Sequence, residues 1–304
     1  MVKLLAEVQY EARTDHLILA GDFISRGPYS ADVVDLAMSA HASCVRGNHE
    51  DRVLLVYRDM FSHRMTHEQK SRKVPSPPMP GMPENVLQDE PATDAPVVED
   101  QISEHGDAAD RQLASSFSKR QFDYMASCPV ILDVGQVVGM GDVHVVHGGL
   151  IPGVRLERQD PMGVMHMRTI DLDTHVPSSK GKGTPWYKVC HSFYPSCCED
   201  KGLIIYQQLW NRFQAMIPAH ERSTVIYGHD ARRGLQLHNY SKGLDTGCVT
   251  GGKLTAMIID DAVHNGEART VSVKCKDYSD RKKKGKDKGK DKRKNKGKDE
   301  GEGE

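Results

Sequence analysis

The sequence predicts an α/β fold, a β-sheet covered by helices, on two observations. Four apolar segments share one design, a short strand ending on a polar or glycine-containing turn, and a stretch with helical spacing separates the first two. The strands are residues 16–20 (HLILA) before Gly21 and Asp22, and residues 42–46 (ASCVR) before Gly47, Asn48, His49 and Glu50. Residues 143–146 then precede His147, Gly148 and Gly149, and residues 224–227 precede Gly228 and His229. Residues 30–40 place Val33, Val34, Ala37 and Met38 at helical spacing behind a Ser30 cap, which gives strand, helix, strand. Ligands of open α/β sheets gather beyond the carboxyl ends of the strands, so all four turns are expected at one edge.

With 304 residues, 38% of them hydrophobic, the chain can build a sizeable core. It has no apolar run of ~18 residues, as a membrane-spanning helix needs, and residues 1–10 lack the basic start and apolar centre of a signal peptide. As written, the chain reads as cytoplasmic, without a membrane segment. The net charge of −1 hides an asymmetry: residues 281–298 hold 12 Lys and Arg against Asp287 and Asp291, a local +10, so the remainder carries −11. An acidic body of this kind points away from specific nucleic-acid binding. Seven scattered cysteines, an odd number, suggest reduced thiols rather than a disulfide framework.

One domain is expected over residues 1–272, with a helix over 3–10 and another from about 110 to 125. A disordered insertion is expected over 75–109, rich in Pro and acids through residue 101, and an insertion of atypical character over 190–209. Residues 273–304 are expected to be a disordered Lys-rich tail, whose last stretch, from 277, is low-complexity Lys, Gly and Asp.

Asp22, Asn48, His147 and His229 each end a strand and offer one carboxylate, one amide oxygen and two imidazoles. That set, without thiolate, suits Zn, Mn or Fe rather than Ca. A single His after a strand is more often a hydrogen-bonded structural residue, but four residues in the same context weaken that alternative.

Gly21 to Pro28 (GDFISRGP), Arg46 to Asp51 (RGNHED), His147-Gly148-Gly149-Leu150 and Gly228-His229 resemble, in order and spacing, the motifs of the calcineurin-like phosphoesterases. Residues 152–161, 167–170, 227–236 and 243–248 are similar to the branch holding fungal zinc-dependent endopolyphosphatases and bacterial diadenosine-tetraphosphatase-like enzymes. The resemblance implies a sandwich of two mixed β-sheets flanked by helices and a metal-dependent phosphohydrolase using one or two divalent ions. Asp22 would bridge the metals, Asn48, His147 and His229 would complete the second site, and His49 would protonate the leaving oxygen as general acid. Arg26 would hold the substrate phosphate, with a solvated surface arginine as the plain alternative. Inorganic polyphosphate is the expected substrate. A protein Ser/Thr phosphatase-like activity is the alternative, disfavoured because those enzymes have Asp where Ser25 stands.

Two departures qualify the resemblance. The family's first motif, an Asp and a His after the first strand, does not precede Asp22. The fold is therefore expected to lack that strand, an inactive remnant of the family becomes a second alternative, and vacuolar targeting would need a segment outside the sequence given. Gly141, Asp142, Val143 and His144 spell a similar GDxH but run straight into His147, so Asp142 and His144 are read as strand residues. Within 190–209, Cys190, His191, Cys197 and Cys198 are possible ligands, but adjacent cysteines chelate poorly and an unstructured insertion is the expectation.

Overall fold

Apolar runs that end on glycine or histidine become strands whose carboxyl ends meet. A computed structural model describes residues 1–71, 104–172, 174–188, 209–260 and 268–278. In chain order the amino-terminal half holds α1 (Val2–Glu7), β1 (Ile18–Leu19), α2 (Ser30–Ser39), β2 (Ser43–Cys44), α3 (Asn48–Ser71), α4 (Glu104–Ser115) and α5 (Lys119–Ser127). Then follow β3 (Ile131–Val137), β4 (Gly141–Val146), α6 (Pro161–His166), β5 (Thr169–Ile170), β6 (Pro177–Ser178), β7 (Thr184–Pro185) and α7 (Trp210–Met216). The last strands are β8 (Ser223–Tyr227), β9 (Gln236–His238), β10 (Ser241–Gly243), β11 (Lys253–Ile258) and β12 (Arg269–Lys274).

The fold is mixed α/β. Its largest sheet has the order β3-β4-β8-β10-β9, with β4, β8 and β10 parallel and antiparallel strands at both edges. β1 and β2 pair in parallel, β11 and β12 antiparallel, and β5 lies between β6 and β7. The described strands thus fall into four hydrogen-bonded sheets rather than the two expected. Packing joins them: Val45, Val143, Val145 and Ile226 are buried together, with Ile18, Ala20 and Met257 against them. A second core sets Val34 of α2 and Val53 of α3 on Phe122 and Met125 of α5. No helix among the described residues is long and apolar enough to cross a membrane.

Several local expectations change. Ser30 does not cap α2; Tyr29 holds that position, and the Ser30 hydroxyl instead accepts the Ser25 N–H at 3.0 Å, bracing the turn after Asp22. The single helix expected from 110 to 125 is two, because Ser118 opens α5 with a capping box to Gln121 and forces a break. α4 starts at Glu104, inside the stretch expected to be disordered, and residues 75–103 lie outside the described residues. At the other boundary β12 runs past residue 273, and pairing continues to Tyr278, whose N–H donates to the Val249 carbonyl. Of the 190–209 insertion only Leu209 is described; it is buried and precedes α7. Cys190, His191, Cys197 and Cys198, and residues 279–304, lie outside the described residues.

The thiol expectation is also overturned. Cys44 bonds Cys128 and Cys248 bonds Cys275, with Cα separations of 5.1 and 5.2 Å. Those distances suit a bridge, and sequence separations of 84 and 27 gave no hint of them.

Candidate metal centre

Parallel pairing of β4 with β8 puts the residues that follow them side by side, and the Gly228 N–H donates to the His147 carbonyl at 2.9 Å. His147 is 1% exposed, and its Nδ1 lies 2.9 Å from the Ala20 carbonyl at the end of β1. A carbonyl only accepts, so Nδ1 carries the hydrogen and Nε2 faces inward. His229 is fixed the same way from the other side, its Nε2 3.0 Å from the His166 carbonyl, which leaves Nδ1 inward. The two inward nitrogens are 3.1 Å apart, and His147 Nε2 is 3.0 Å from Asp22 Oδ2.

Asp22 reaches this point from a left-handed backbone, φ 52°. Its Oδ1 accepts the His49 N–H at 3.1 Å, and its own N–H donates to Glu50 at 2.8 Å. The approach is so close that a β-carbon on Gly47 would overlap the Asp22 carboxylate, and one on Gly21 would meet the His147 ring. Glycine at both positions is therefore steric necessity.

Asn48 and His49 stand at the start of α3, not in an isolated turn. Asn48 Oδ1 is buried with no hydrogen-bond partner, and its neighbours Gly47 and His49 both abut Asp22. His49 Nε2 is 3.8 Å from Asp22 Oδ2. Arg26 is exposed in the turn after Ser25, and among the described residues its guanidinium has no hydrogen-bond or ion-pair partner. Asp142 and His144 lie within β4, facing Gln136 and Asp133, away from this group.

Electrostatics follow the geometry. Burial alone would raise the Asp22 carboxyl, but the charge and hydrogen bond of His147, then His49, hold it well below the usual range. Burial would likewise depress His147, yet Asp22, the Ala20 carbonyl and Glu50 raise it. Burial, His147 and Arg168 push His229 down to about 3. His49 is lowered by burial, with Asp22 opposing and Arg26, Arg52 and His147 adding to the fall.

Asp22, His147 and His229 present ligand atoms within 4.8 Å of one another, and no other trio of His, Cys, Asp or Glu does so among the described residues. Three inward lone-pair donors repel unless a cation sits between them, and the Asp22 carboxylate 3.0 Å away correspondingly raises the proton affinity of His147. A divalent ion fits the same place. The donors are a carboxylate oxygen and two imidazole nitrogens whose outer nitrogens are locked by carbonyls, and the buried, unpartnered Asn48 oxygen belongs to the turn that abuts Asp22.

Sequence reasoning missed Glu50. Fully buried, it accepts N–H groups from Asp22, Ile24 and Gly47 at 2.8, 3.2 and 2.9 Å, tying the turn at Asp22 to the turn into α3. Glu50→Ala leaves three buried donors unsatisfied and is expected to lower stability by about 3–5 kcal/mol, read from denaturant unfolding. Burial, then the charge of Asp22, raises Glu50 to about 7 from an ordinary 4.5. The native metal-free chain therefore holds this proton more tightly than the unfolded one. Its contribution is complete below about pH 4.5 and lost as pH rises through 7, so the advantage over Glu50→Gln should shrink between pH 5 and pH 8. Arg168 was missed as well; its Nε donates to the His229 carbonyl at 3.2 Å and Nη1 to the Ser179 carbonyl at 2.9 Å.

A family model for the calcineurin-like phosphoesterases matches residues 1–233. The chain belongs to that family. This phosphoesterase is 24% identical over 257 residues to the zinc-dependent endopolyphosphatase of Saccharomyces cerevisiae, covering 83% of this chain and 68% of the relative. It is 23% identical over 297 residues to a symmetrical bis(5'-nucleosyl)-tetraphosphatase of Nitrosospira multiformis, covering 85% and 87%. A solved structure assigned as a candidate diadenosine tetraphosphatase superposes with a TM-score of 0.55 at 23% identity, covering 90% of this chain and 86% of that one. That superposition supports the fold. Family membership makes the chain a metal-dependent phosphoesterase.

Proposed function

We propose that this phosphoesterase hydrolyses phosphoanhydride bonds of inorganic polyphosphate at a divalent-metal centre built on Asp22, Asn48, His147 and His229. The observation that carries the reading is the convergence of three lone-pair donors on one point, with an orphaned amide oxygen, that of Asn48, in the adjoining turn. When bound, a divalent ion supplies Lewis acidity toward phosphate oxygens and toward the attacking water. The protein residues do the rest. His147 and His229 are held by backbone carbonyls in the tautomers that present a lone pair, so little reorganisation is needed. His49, beside Asp22, is the group placed to deliver a proton to the leaving phosphate. Arg26, exposed and uncommitted, can close its planar fork on a phosphate oxygen pair.

Zinc is the favoured metal, on the donor set and on the named zinc dependence of the yeast relative. A dinucleoside polyphosphate is the second reading, supported by the bacterial relative. The two disulfides favour an oxidising compartment over the cytoplasm. Metal-stripped protein should be assayed on long-chain polyphosphate, diadenosine tetraphosphate, p-nitrophenyl phosphate and a phosphopeptide, with Zn, Mn or Fe added back. Metal-dependent shortening of polyphosphate with a rise in Tm is the expected result. A rise in Tm without turnover of any substrate would favour the inactive remnant.

A further inference from the structure

The centre is flanked by a loop whose construction the chemistry above does not use. Residues 179–183 join β6 to β7, which pair on either side of β5. Three successive carbonyls of the loop are tied down: Ser179 by Arg168 Nη1 at 2.9 Å, Lys180 by the Thr169 hydroxyl at 3.0 Å and Gly181 by Arg233 at 2.9 Å. Arg168 also grips the carbonyl of His229, so the loop is fastened to a metal-facing residue through one side chain.

The outward side of this loop is basic. Lys180 and Lys182 are exposed on either side of Gly181, and exposed Arg232 packs beside that glycine, whose β-carbon would lie 3.3 Å from Arg232 Nη1. Arg233 is paired with Asp230, whereas among the described residues no hydrogen bond or ion pair engages the side-chain charges of Lys180, Lys182 or Arg232. With Arg168, which reaches from the loop to the His229 carbonyl, four cations thus lie on or against this loop, in a chain whose sequence outside residues 281–298 carries −11. Arg168 is depressed by burial, with Asp230, Asp22 and Asp245 opposing and the charge of Arg232 adding to the fall. A mononucleotide or monoester phosphate needs no such extension. A linear polyanion does.

We propose that Arg168, Lys180, Lys182 and Arg232 form an anion track leading out of the metal centre past His229, which holds the phosphates of an oligophosphate or polyphosphate chain beyond the bond being cleaved. The proposal rests on the phosphoanhydride reading above. It makes the enzyme select chain length by binding energy remote from the reacting phosphorus, drawn from phosphate groups that a monoester lacks.

The test compares the zinc-loaded 304-residue chain with its Lys180→Ala/Lys182→Ala/Arg232→Ala variant, by calorimetry with a methylene-bridged triphosphate, which cannot be cleaved, and with orthophosphate. Arg168 is left intact because it holds His229. Three exposed charge pairs predict roughly tenfold weaker binding of the triphosphate, with orthophosphate affinity, zinc affinity and Tm unchanged. Equal triphosphate affinity in both proteins, or an equal loss for orthophosphate, overturns the track. Failure of the functional reading shows elsewhere: the wild-type chain would hydrolyse p-nitrophenyl phosphate but leave polyphosphate uncut, whatever the binding result.

Discussion

Replacing Asp22 by Asn is expected to remove tight divalent-metal binding while the fold survives. Asn tolerates the left-handed backbone that Asp22 adopts at φ 52°. Its amide oxygen can still accept the His49 N–H, and its own N–H can still reach Glu50. The loss is charge. Asp22 is the one carboxylate in the converging trio, and its oxygen lies 3.0 Å from His147 Nε2. Changes to outer partners of metal ligands typically cost 10–100-fold in metal affinity, so losing a ligand charge should cost more than about 100-fold. Zinc calorimetry reads the affinity and circular dichroism the fold. Affinity within a few-fold of wild type would mean that another set of residues holds the metal.

His49→Ala should lower kcat on polyphosphate by roughly 10²–10⁴ and leave zinc affinity unchanged. Its contact with Asp22 Oδ1 runs through the backbone N–H, which alanine keeps, so the metal-facing geometry is preserved. The lost imidazole stands 3.8 Å from Asp22 Oδ2, in a place where burial and three cationic neighbours work against its protonated form. An incoming phosphate supplies the opposite charge, so proton affinity is restored when a leaving group needs it. p-Nitrophenolate departs without a proton, and its ester should therefore be affected much less than polyphosphate. Equal losses on both substrates would remove His49 from the role of acid.

The part of this site that was legible in the sequence was the part that strand ends dictate. β4 and β8 end on the apolar stretches Val145-Val146 and Val225-Ile226-Tyr227, stopping at His-Gly and Gly-His, and parallel pairing leaves their ends no choice but to meet. What stayed hidden depends on contacts across long separations. Glu50 acts on the N–H groups of Asp22 and Ile24, 28 and 26 residues away, and a glutamate that serves backbone donors looks like any other in a sequence. Cys44 and Cys128 meet because the turn into α3 hangs on the end of α5, where the Arg46 N–H donates to the Pro129 carbonyl. The break between α4 and α5 was readable, since Ser118 and Gln121 have the spacing of a capping box, but apolar periodicity on both sides masked it.

The left-handed backbone at Asp22 and at His229, φ 52° and 65°, narrows what mutation can explore. Beyond glycine, Asn, Asp and His are the residues enriched in that conformation, and the same three carry an oxygen or nitrogen able to ligate a metal. Two filters, one conformational and one chemical, thus admit nearly the same short alphabet at each position. A lineage drifting away from catalysis would still tend to keep those letters for the sake of the turn. Asp at 22 and His at 229 are therefore poor witnesses to activity when such sequences are compared, and Asn48, whose backbone is ordinary helix, is the more telling position.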